Sequence, residues 1–232
     1  MHYSGKPAVF EDCAIHGTAS GAELFIVEGD SASGAVANVR DAARQAVLPM
    51  QGKPLNALKA SGARVVEYPL FKQLSDALGV APNDIESGEV GDTSKRNFER
   101  VMLLFDPDAD GIHSGVLMLM YFYRWMRPLL AAGAVWMVRP PLYVVTVAEN
   151  NHTFHAYSPD HAARILTELK RRGHTNVQSH HHRGLASIDP ALLASSCLAP
   201  QTRKADAMTV TDAKDAIRVF SALLERSRLA EG

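Results

Sequence analysis

Residues 101–111, "VMLLFDPDADG", contain three carboxylates that directly follow an apolar run in the sequence. The apolar side chains predict a buried strand over residues 100–105. The carboxylates that follow it are Asp106, Asp108 and Asp110. Because alternate residues of an extended backbone point to the same side, these three side chains can act together. Pro107 pushes the residue before it toward extended geometry, and Gly111 permits a turn into the next helix.

A second stretch repeats this order of features. Residues 23–27, "ELFIV", predict another buried strand, and Glu28 and Asp30 follow it in "EGDSASG". We expect a helix from Ala32 to about Gln45. In an open parallel sheet, ligands bind outside the carboxyl ends of the strands. If the two strands are neighbours, the glutamate and the three aspartates converge on one site.

The remaining elements complete an α/β pattern. Further predicted elements are a helix over 68–79 closed by Gly79, a helix over 113–133 and a strand over 134–138. Strands that alternate with helices indicate a parallel, Rossmann-like sheet flanked by helices, with right-handed crossovers. We therefore expect a sheet domain over 1–150 and a mainly helical tail over 151–232.

The tail has a distinctive charge pattern. Residues 161–183 are rich in arginine, lysine and histidine and contain one acid, Glu168. This run either faces nucleic acid or is ordinary solvated charge, and the two interpretations carry equal weight. The three consecutive histidines at 180–182 fit a solvated stretch better than a metal site, because no partner ligand is evident. Short helices are predicted within 189–197 and over about 212–228.

Composition narrows the class of protein. The chain has 232 residues, of which 47% are hydrophobic and 21% are charged, which is typical of a globular protein and not of a disordered one. A net charge of −1 means that any nucleic-acid surface must be a local patch. Cys13 and Cys197 form no CxxC pair, so we expect inert cysteines, no structural zinc site and a cytoplasmic location. No signal sequence or bilayer-length apolar run is present, so no membrane partner is expected.

The clustered carboxylates need a counter-cation or raised pKa values, since like charges repel. A divalent cation with oxygen ligands meets this need, and Mg²⁺ (or Mn²⁺) leaves room for phosphate oxygens. A calcium EF-hand loop is excluded, because its twelfth position, counted from Asp106, is Leu117 and not glutamate. A plain acidic surface loop is the alternative. The small residues of "GDSASG" suit either an anion at a helix N-terminus or a simple N-cap, and no P-loop occurs.

Several segments resemble the Toprim region of the B subunit of bacterial type IIA topoisomerases, gyrase and topoisomerase IV. They are "ELFIVEGDSASG", "RDAARQAVLPMQGKPLNA", "LLFDPDADGIHSGVLMLMYFYR" and "RPPLY". Weaker similarity continues in "RGLASIDPALLASSC" and "VTDAKDAIRVFSALL" of the tail. The glutamate with DxDxDG is shared with other Toprim proteins, such as primases and small nucleases, whereas "PPLY" is specific to the topoisomerase protein. The resemblance identifies residues 1–150 as a Toprim domain.

The resemblance implies roles for individual residues. Glu28 corresponds to a metal ligand that also moves a proton at the 3′ oxygen of DNA. The implied metal ligands are Glu28, Asp106, Asp108 and Asp110, and the implied DNA-binding residues are Lys53, Asn56 and His113. The expected function is the Mg²⁺-dependent half of a centre that cleaves and religates double-stranded DNA, acting in the nucleoid.

The resemblance also implies a partner protein. In the family, the nucleophilic tyrosine belongs to the A subunit, and none of the six tyrosines here has the corresponding setting. The chain is therefore expected to act with an A-type subunit and not to cut DNA alone. The family's ATPase and transducer regions have no counterpart in this sequence, so no ATPase activity is expected.

The sequence also departs from the family pattern. Pro107 replaces a small residue, Gly115 replaces an arginine, and Ala42-Ala43 replace a basic pair for which Arg44 is a candidate substitute. In the tail, this chain has "RGLASI" where the family has "KGLGEM". These departures keep an alternative open: a stand-alone Toprim protein that acts as a Mg²⁺-dependent nuclease or as a non-catalytic DNA-binding partner.

Overall fold

The computed structural model describes residues 9–84, 92–150 and 152–230, with side chains described as far as residue 222. Its main sheet has five strands: β1 (Glu23–Glu28), β2 (Gln45–Met50), β3 (Arg100–Leu104), β4 (Val135–Val138) and β8 (Ala205–Ala207). Their order across the sheet is β2-β1-β3-β4-β8. The first four run parallel to one another, and β8 closes one edge in the antiparallel direction.

Helices cover both faces of this sheet. They are α1 (Gly29–Ala37), α2 (Gly62–Glu67), α3 (Pro69–Leu78), α4 (Ala109–Trp125), α5 (Arg127–Ala131), α7 (Pro190–Leu193) and α8 (Val210–Ala230). Residues of α2 to α5 and of α8 join the apolar cluster on one face, whereas α1 and α7 supply the cluster on the other. The predicted Rossmann-like α/β class is therefore confirmed.

Strand β1 shows why its stretch of sequence is a continuous apolar run. Leu24 and Ile26 pack into one cluster, while Phe25 and Val27 pack into the cluster on the opposite face. All four side chains are fully buried. Because a central parallel strand is covered on both sides, its apolar residues do not alternate with polar ones.

The region after β1 differs from the prediction. The helix expected from Ala32 to Gln45 begins at Gly29 and ends at Ala37, and residues 38–44 form turns that lead into strand β2. β2 pairs with β1 in parallel, and Pro49 is tolerated because β2 lies at the sheet edge. The predicted helix was too long because alanine-rich residues have high helix propensity, which tertiary contacts override here: the carbonyls of Ala42 and Ala43 accept hydrogen bonds from the N–H groups of Ala14 and Ile15.

Two other helix predictions have different outcomes. The helix closed by Gly79 is confirmed as α3, since Gly79 has the left-handed φ of 67° that favours glycine after a helix. The helix predicted over 113–133 is two helices, α4 and α5. The break falls at Met126, whose φ is −137°, because Pro128, in the first turn of α5, has no N–H with which to continue the hydrogen bonding of α4.

A second, three-stranded antiparallel sheet follows the main one. Its strands are β5 (Tyr143–Val147), β6 (His152–Ala156) and β7 (Val177–His181), and helix α6 (Pro159–Arg171) connects the last two. Their order across the sheet is β6-β5-β7. Leu169 of α6 packs on Val145 and Val147 to form a small separate core. The β5–β6 pair spans residue 150, so the expected boundary there cuts through a hairpin.

The rest of the tail returns to the main domain. A short 3₁₀ turn (Leu185–Ser187), α7, a π turn (Ala194–Leu198), β8 and α8 follow in order. The tail is mainly helical, as predicted, although strands β6, β7 and β8 were not anticipated from its residues. Among the described residues, no helix combines the length and the apolar character that a bilayer crossing requires.

Candidate metal centre

The two acidic segments meet because β1 and β3 are neighbours. The strands run parallel, with Val27 beside Leu104 at their carboxyl ends. Glu28 ends β1, and the aspartate motif begins two residues after the last residue of β3. The expectation that these two strands are adjacent is confirmed. Both acidic segments consequently leave the sheet at the same edge, which is where parallel sheets bind ligands.

Asp106 is held by the tail. Its Oδ1 accepts a hydrogen bond of 2.8 Å from the backbone N–H of Leu185. A Cβ placed on Gly184 would lie 2.9 Å from Asp106 Oδ2, so the tail backbone approaches as closely as glycine allows. Burial raises the pKa of Asp106, and the neighbouring charge of Asp108 adds to the rise. The segment "RGL" of the tail thus forms one wall of the acidic site.

Asp108 starts helix α4. Its side chain caps the helix by accepting a hydrogen bond of 2.8 Å from the N–H of Gly111. A Cβ on Gly111 would lie only 2.0 Å from the carbonyl oxygen of Asp106. The glycine of the motif is therefore required by this close approach of two backbone segments.

Asp110 is paired with a lysine. Lys53 Nζ lies 2.6 Å from Asp110 Oδ1, and both side chains are exposed to solvent. This hydrogen bond lowers the pKa of Asp110 and raises the pKa of Lys53. The negative charges of Glu28 and Asp108 raise the pKa of Lys53 further. One ammonium group therefore offsets part of the negative charge of the site.

Glu28 has a partner that the sequence did not reveal. Its Oε2 accepts a hydrogen bond of 2.9 Å from the hydroxyl of Ser114, which lies fully buried in α4. Asp30, the other acid of this segment, accepts a hydrogen bond of 2.5 Å from the side-chain amide of Gln51, the residue that follows β2. The contact with Ser114 ties the end of β1 to the helix that carries the aspartates.

The donor set suits a hard cation. Carboxylate oxygens on adjacent strand ends are the ligands that Mg²⁺ and Mn²⁺ prefer. Across the described residues, no three of these four acids place ligand oxygens within 4.8 Å of one another. Each carboxylate instead points to its own donor, and Asp110 is the most easily reoriented, because its partner is an exposed side chain. The chemistry of these residues suits a divalent cation, and their side chains would have to move closer together to bind one ion.

Two of the predicted DNA-binding residues, Asn56 and His113, are half-buried and contact neighbouring parts of the protein. Asn56 Oδ1 accepts a hydrogen bond of 3.2 Å from the N–H of Leu58 within its own loop. The ring of His113 packs on Phe220 of α8, with 5.0 Å between ring centroids, one turn of α4 beyond the acidic motif. Lys53 is the predicted DNA-binding residue that directly contacts one of the acids.

The departures from the family pattern have clear positions. Gly115 is buried, and a Cβ there would lie 3.1 Å from Met137 and 3.7 Å from Phe105, so the space for a long side chain is filled. Arg44 precedes β2 at the amino edge of the sheet. It therefore lies at the opposite end of that strand from the acidic site, directly after Ala42-Ala43.

Comparison with known proteins gives a consistent result. A model of the Toprim domain matches residues 23–140. The DNA gyrase B subunit of Thermotoga maritima is 37% identical over 202 residues, which cover 87% of this chain and 30% of that protein. The DNA gyrase B subunit of Haloferax volcanii is 37% identical over 224 residues, covering 97% and 34%. That of Streptococcus pneumoniae serotype 4 is 32% identical over 226 residues, also covering 97% and 34%. The chain spans about a third of the length of these relatives.

Proposed function

This chain belongs to the Toprim domain family, in the form found in gyrase B subunits, and from that premise we propose that it supplies the metal-binding half of a DNA cleavage–religation centre. The metal would be Mg²⁺, with Mn²⁺ as a substitute. The substrate would be double-stranded DNA, and an A-type topoisomerase subunit would provide the nucleophilic tyrosine.

One structural observation supports the proposal most directly. Glu28 and the aspartate motif leave adjacent parallel strands at the same edge of the sheet. Around this edge, a helix cap, a buried hydroxyl and a tail N–H hold three of the carboxylates in fixed directions. A set of acids that served only as solvated surface would not need such support. We infer that this support keeps the acids ready for a cation and a phosphodiester.

The proposed ligands of the divalent cation are Glu28, Asp106, Asp108 and Asp110. When bound, two such cations about 3.5–4 Å apart would stabilise the attacking and leaving oxygens of an in-line displacement. Glu28, oriented by the hydroxyl of Ser114, would accept or donate the proton at the 3′ oxygen. Asp106 lies against the tail, whose closely packed backbone would exclude water from that side of the site.

Lys53 would change its partner when the centre assembles. It now pairs with Asp110, and both side chains are exposed. A divalent cation at Asp110 would displace the ammonium, which would then be free to contact a DNA phosphate. Asn56 and His113 are proposed to line the same DNA-facing edge.

The test combines the chain with an A-type subunit, Mg²⁺ and supercoiled DNA and measures protein-linked cleavage. Glu28→Gln and Asp108→Asn should each reduce cleavage by at least about a hundredfold, because the transition state loses a ligand or a proton carrier. DNA affinity measured without metal should fall little or rise, because the lost carboxylates repel phosphate. Cleavage at wild-type levels by both variants would contradict the proposal.

A different outcome would favour the alternative function. Nicking of DNA by the chain and Mg²⁺ without an A-type subunit would indicate a Mg²⁺-dependent nuclease. DNA binding without any cleavage, even with the A-type subunit, would indicate a non-catalytic binding partner. Glu28→Gln separates these cases further, since it should abolish nicking by a nuclease and leave pure binding unchanged.

A further inference from the structure

A loop at the opposite edge of the sheet brings three different metal-ligating side chains together. Asp12 Oδ, Cys13 Sγ and a ring nitrogen of His16 all lie within 4.8 Å of one another. Among the described residues, this is the one group of three such side chains with that property. The loop precedes β1, at the amino ends of the strands, whereas the acidic centre lies at their carboxyl ends.

The loop is held firmly by the main domain. Glu11 and Val47 exchange two backbone hydrogen bonds of 2.9 and 2.8 Å. The N–H groups of Ala14 and Ile15 donate to the carbonyls of Ala42 and Ala43. These bonds fix both sides of Cys13, so the three side chains converge on a rigid backbone. A site built in this way costs little conformational entropy when a ligand binds.

The side chains themselves are also oriented. His16 Nε2 lies 2.9 Å from Asp12 Oδ1, and its ring packs edge-on against Phe98 with 5.4 Å between centroids. Cys13 donates its thiol proton to the carbonyl of Ile15 at 3.1 Å. Asp12 and His16 remain open to solvent, with 52% and 38% of their side chains exposed. An ion can therefore reach Asp12 and His16 from solvent, and Cys13, which is 7% exposed, lies within 4.8 Å of both.

We propose that Asp12, Cys13 and His16 form a binding site for a borderline-soft transition-metal ion such as Zn²⁺, separate from the acidic centre. Thiolate, imidazole and carboxylate are the three ligand types of zinc sites, and a fourth position would be left to water. The C-x-x-H spacing places sulfur and nitrogen ligands on one loop. The proposal differs from the expectation that Cys13 is inert.

Binding would follow a simple proton balance. The Cys13 thiol loses its proton to solvent, the sulfur forms a bond to the metal, and its hydrogen bond to Ile15 is lost. The hydrogen bond between His16 and Asp12 opens so that both can donate lone pairs. Burial raises the pKa of Cys13, and the charge of Asp12 adds to the rise. The guanidinium of the neighbouring Arg40 donates hydrogen bonds to the side chain of Glu11 and to the backbone carbonyl of Asp12.

The experiment titrates the full chain with Co²⁺, a spectroscopic stand-in for Zn²⁺, and records the thiolate-to-cobalt absorption in the near ultraviolet. Because only a cysteine ligand produces this absorption, the histidines at 180–182 cannot imitate it. We expect the absorption in the wild type, with displacement by one equivalent of Zn²⁺ and no effect of millimolar Mg²⁺. One proton should be released per Co²⁺ bound at a pH below the pKa of the thiol.

Matched variants locate the site. Cys13→Ser should abolish the absorption, while Cys197→Ala, which removes the other cysteine, should keep it. His16→Gln and Asp12→Asn alter exposed side chains, so they should fold normally by circular dichroism and bind Co²⁺ at least about tenfold more weakly. The proposal fails if the wild type shows no absorption, if Cys197→Ala removes it, or if both loop variants bind with wild-type affinity. None of these readouts depends on DNA cleavage.

Discussion

The position of Asp106, one of the proposed metal ligands, depends on the small size of Gly184. The carboxylate lies between its own strand and the tail, where Leu185 donates to it and Gly184 leaves it room. The φ of Gly184 is 168°, an extended value that any residue adopts, so backbone conformation is not the constraint. The constraint is space, because the missing Cβ is what allows the two segments to touch.

Gly184→Ala should therefore displace Asp106 and destabilise the fold. Its Cβ would lie 2.9 Å from Asp106 Oδ2, and such overpacking typically costs about 1–3 kcal/mol. The measurement is the free energy of unfolding from urea denaturation. A matched control is Gly34→Ala in α1, where an added Cβ meets no atom within 4 Å, so stability should be unchanged or slightly higher. Equal stability of the two variants would show that the tail is not packed on Asp106.

At the scale of elements, one buried ion pair fastens the tail to the main sheet. Both terminal nitrogens of the Arg203 guanidinium, Nη1 and Nη2, donate to the carboxylate of Glu23 at the start of β1, Nη1 at 2.6 Å. Arg203 and Glu23 are 5% and 2% exposed, so the pair is shielded from solvent. Gln45 and Arg100 complete the set of donors around this carboxylate. The tail is thus tied to the main domain near the amino edge as well as at Asp106.

Arg203→Ala should cost about 3 kcal/mol, the lower end for breaking a buried pair, because Gln45 and Arg100 still partner the carboxylate. Urea denaturation provides the measurement. Arg218→Ala removes an arginine whose pair with Asp215 is 78% and 60% exposed, and it should change stability little. If Arg203→Ala were as stable as Arg218→Ala, the tail would not depend on this contact.

A buried histidine directly after β7 makes stability depend on pH. His182 is 5% exposed, and in the described structure neither of its ring nitrogens has a hydrogen-bond partner. Burial lowers the pKa of His182, and the neighbouring His180 lowers it further. As the pH falls through the ordinary value of 6.5, the unfolded chain binds a proton that the folded chain resists. Stability is therefore lost on acidification through that range.

His182→Leu should flatten this pH dependence, because leucine keeps the apolar contacts and cannot bind a proton. Between pH 7.5 and 5.5 the melting temperature of the variant should fall less than that of the wild type. The difference should correspond to the uptake of one proton on unfolding. His180→Asn changes an exposed neighbour and should leave most of the dependence in place. A wild-type slope in His182→Leu would assign the titration to another group.

The elements differ in how well the sequence predicts them. β1, β3 and the acids behind them follow from apolar runs and from the rule for parallel strand ends. β2 was missed, because its strand character comes from pairing with β1 and not from its own residues. The partners of the site were missed for a similar reason. Ser114 and the N–H of Leu185 lie 86 and 79 residues from the acids they contact, and local patterns carry no sign of such distant contacts.

At the scale of the whole molecule, β1, α4, the loop after β2 and the tail all contribute residues or contacts to the acidic centre. Glu28 belongs to β1, Asp108 begins α4, Asp110 contacts the loop after β2 through Lys53, and Asp106 contacts the tail. Like charges at this junction repel one another and oppose close packing. A cation bound there would join the end of β1 to the segment between β3 and α4, beside the tail residues that contact Asp106. Its effect should therefore appear in global stability and not only in chemistry.

We expect millimolar Mg²⁺ to raise the melting temperature of the whole chain, because a ligand that binds only the folded state stabilises it by mass action. Asp108→Asn should largely abolish this rise. Asparagine still caps α4 through Gly111, so the variant should fold without a cap penalty, whereas Asp108→Ala would add a loss of about 1 kcal/mol. Asp160→Asn removes an equal charge from the first turn of α6 and should keep the full response. The measurement is thermal unfolding over a range of Mg²⁺ concentrations at constant ionic strength. A wild-type melting temperature that does not change with Mg²⁺, or an equal rise in Asp108→Asn, would show that the acids at this junction do not hold a metal.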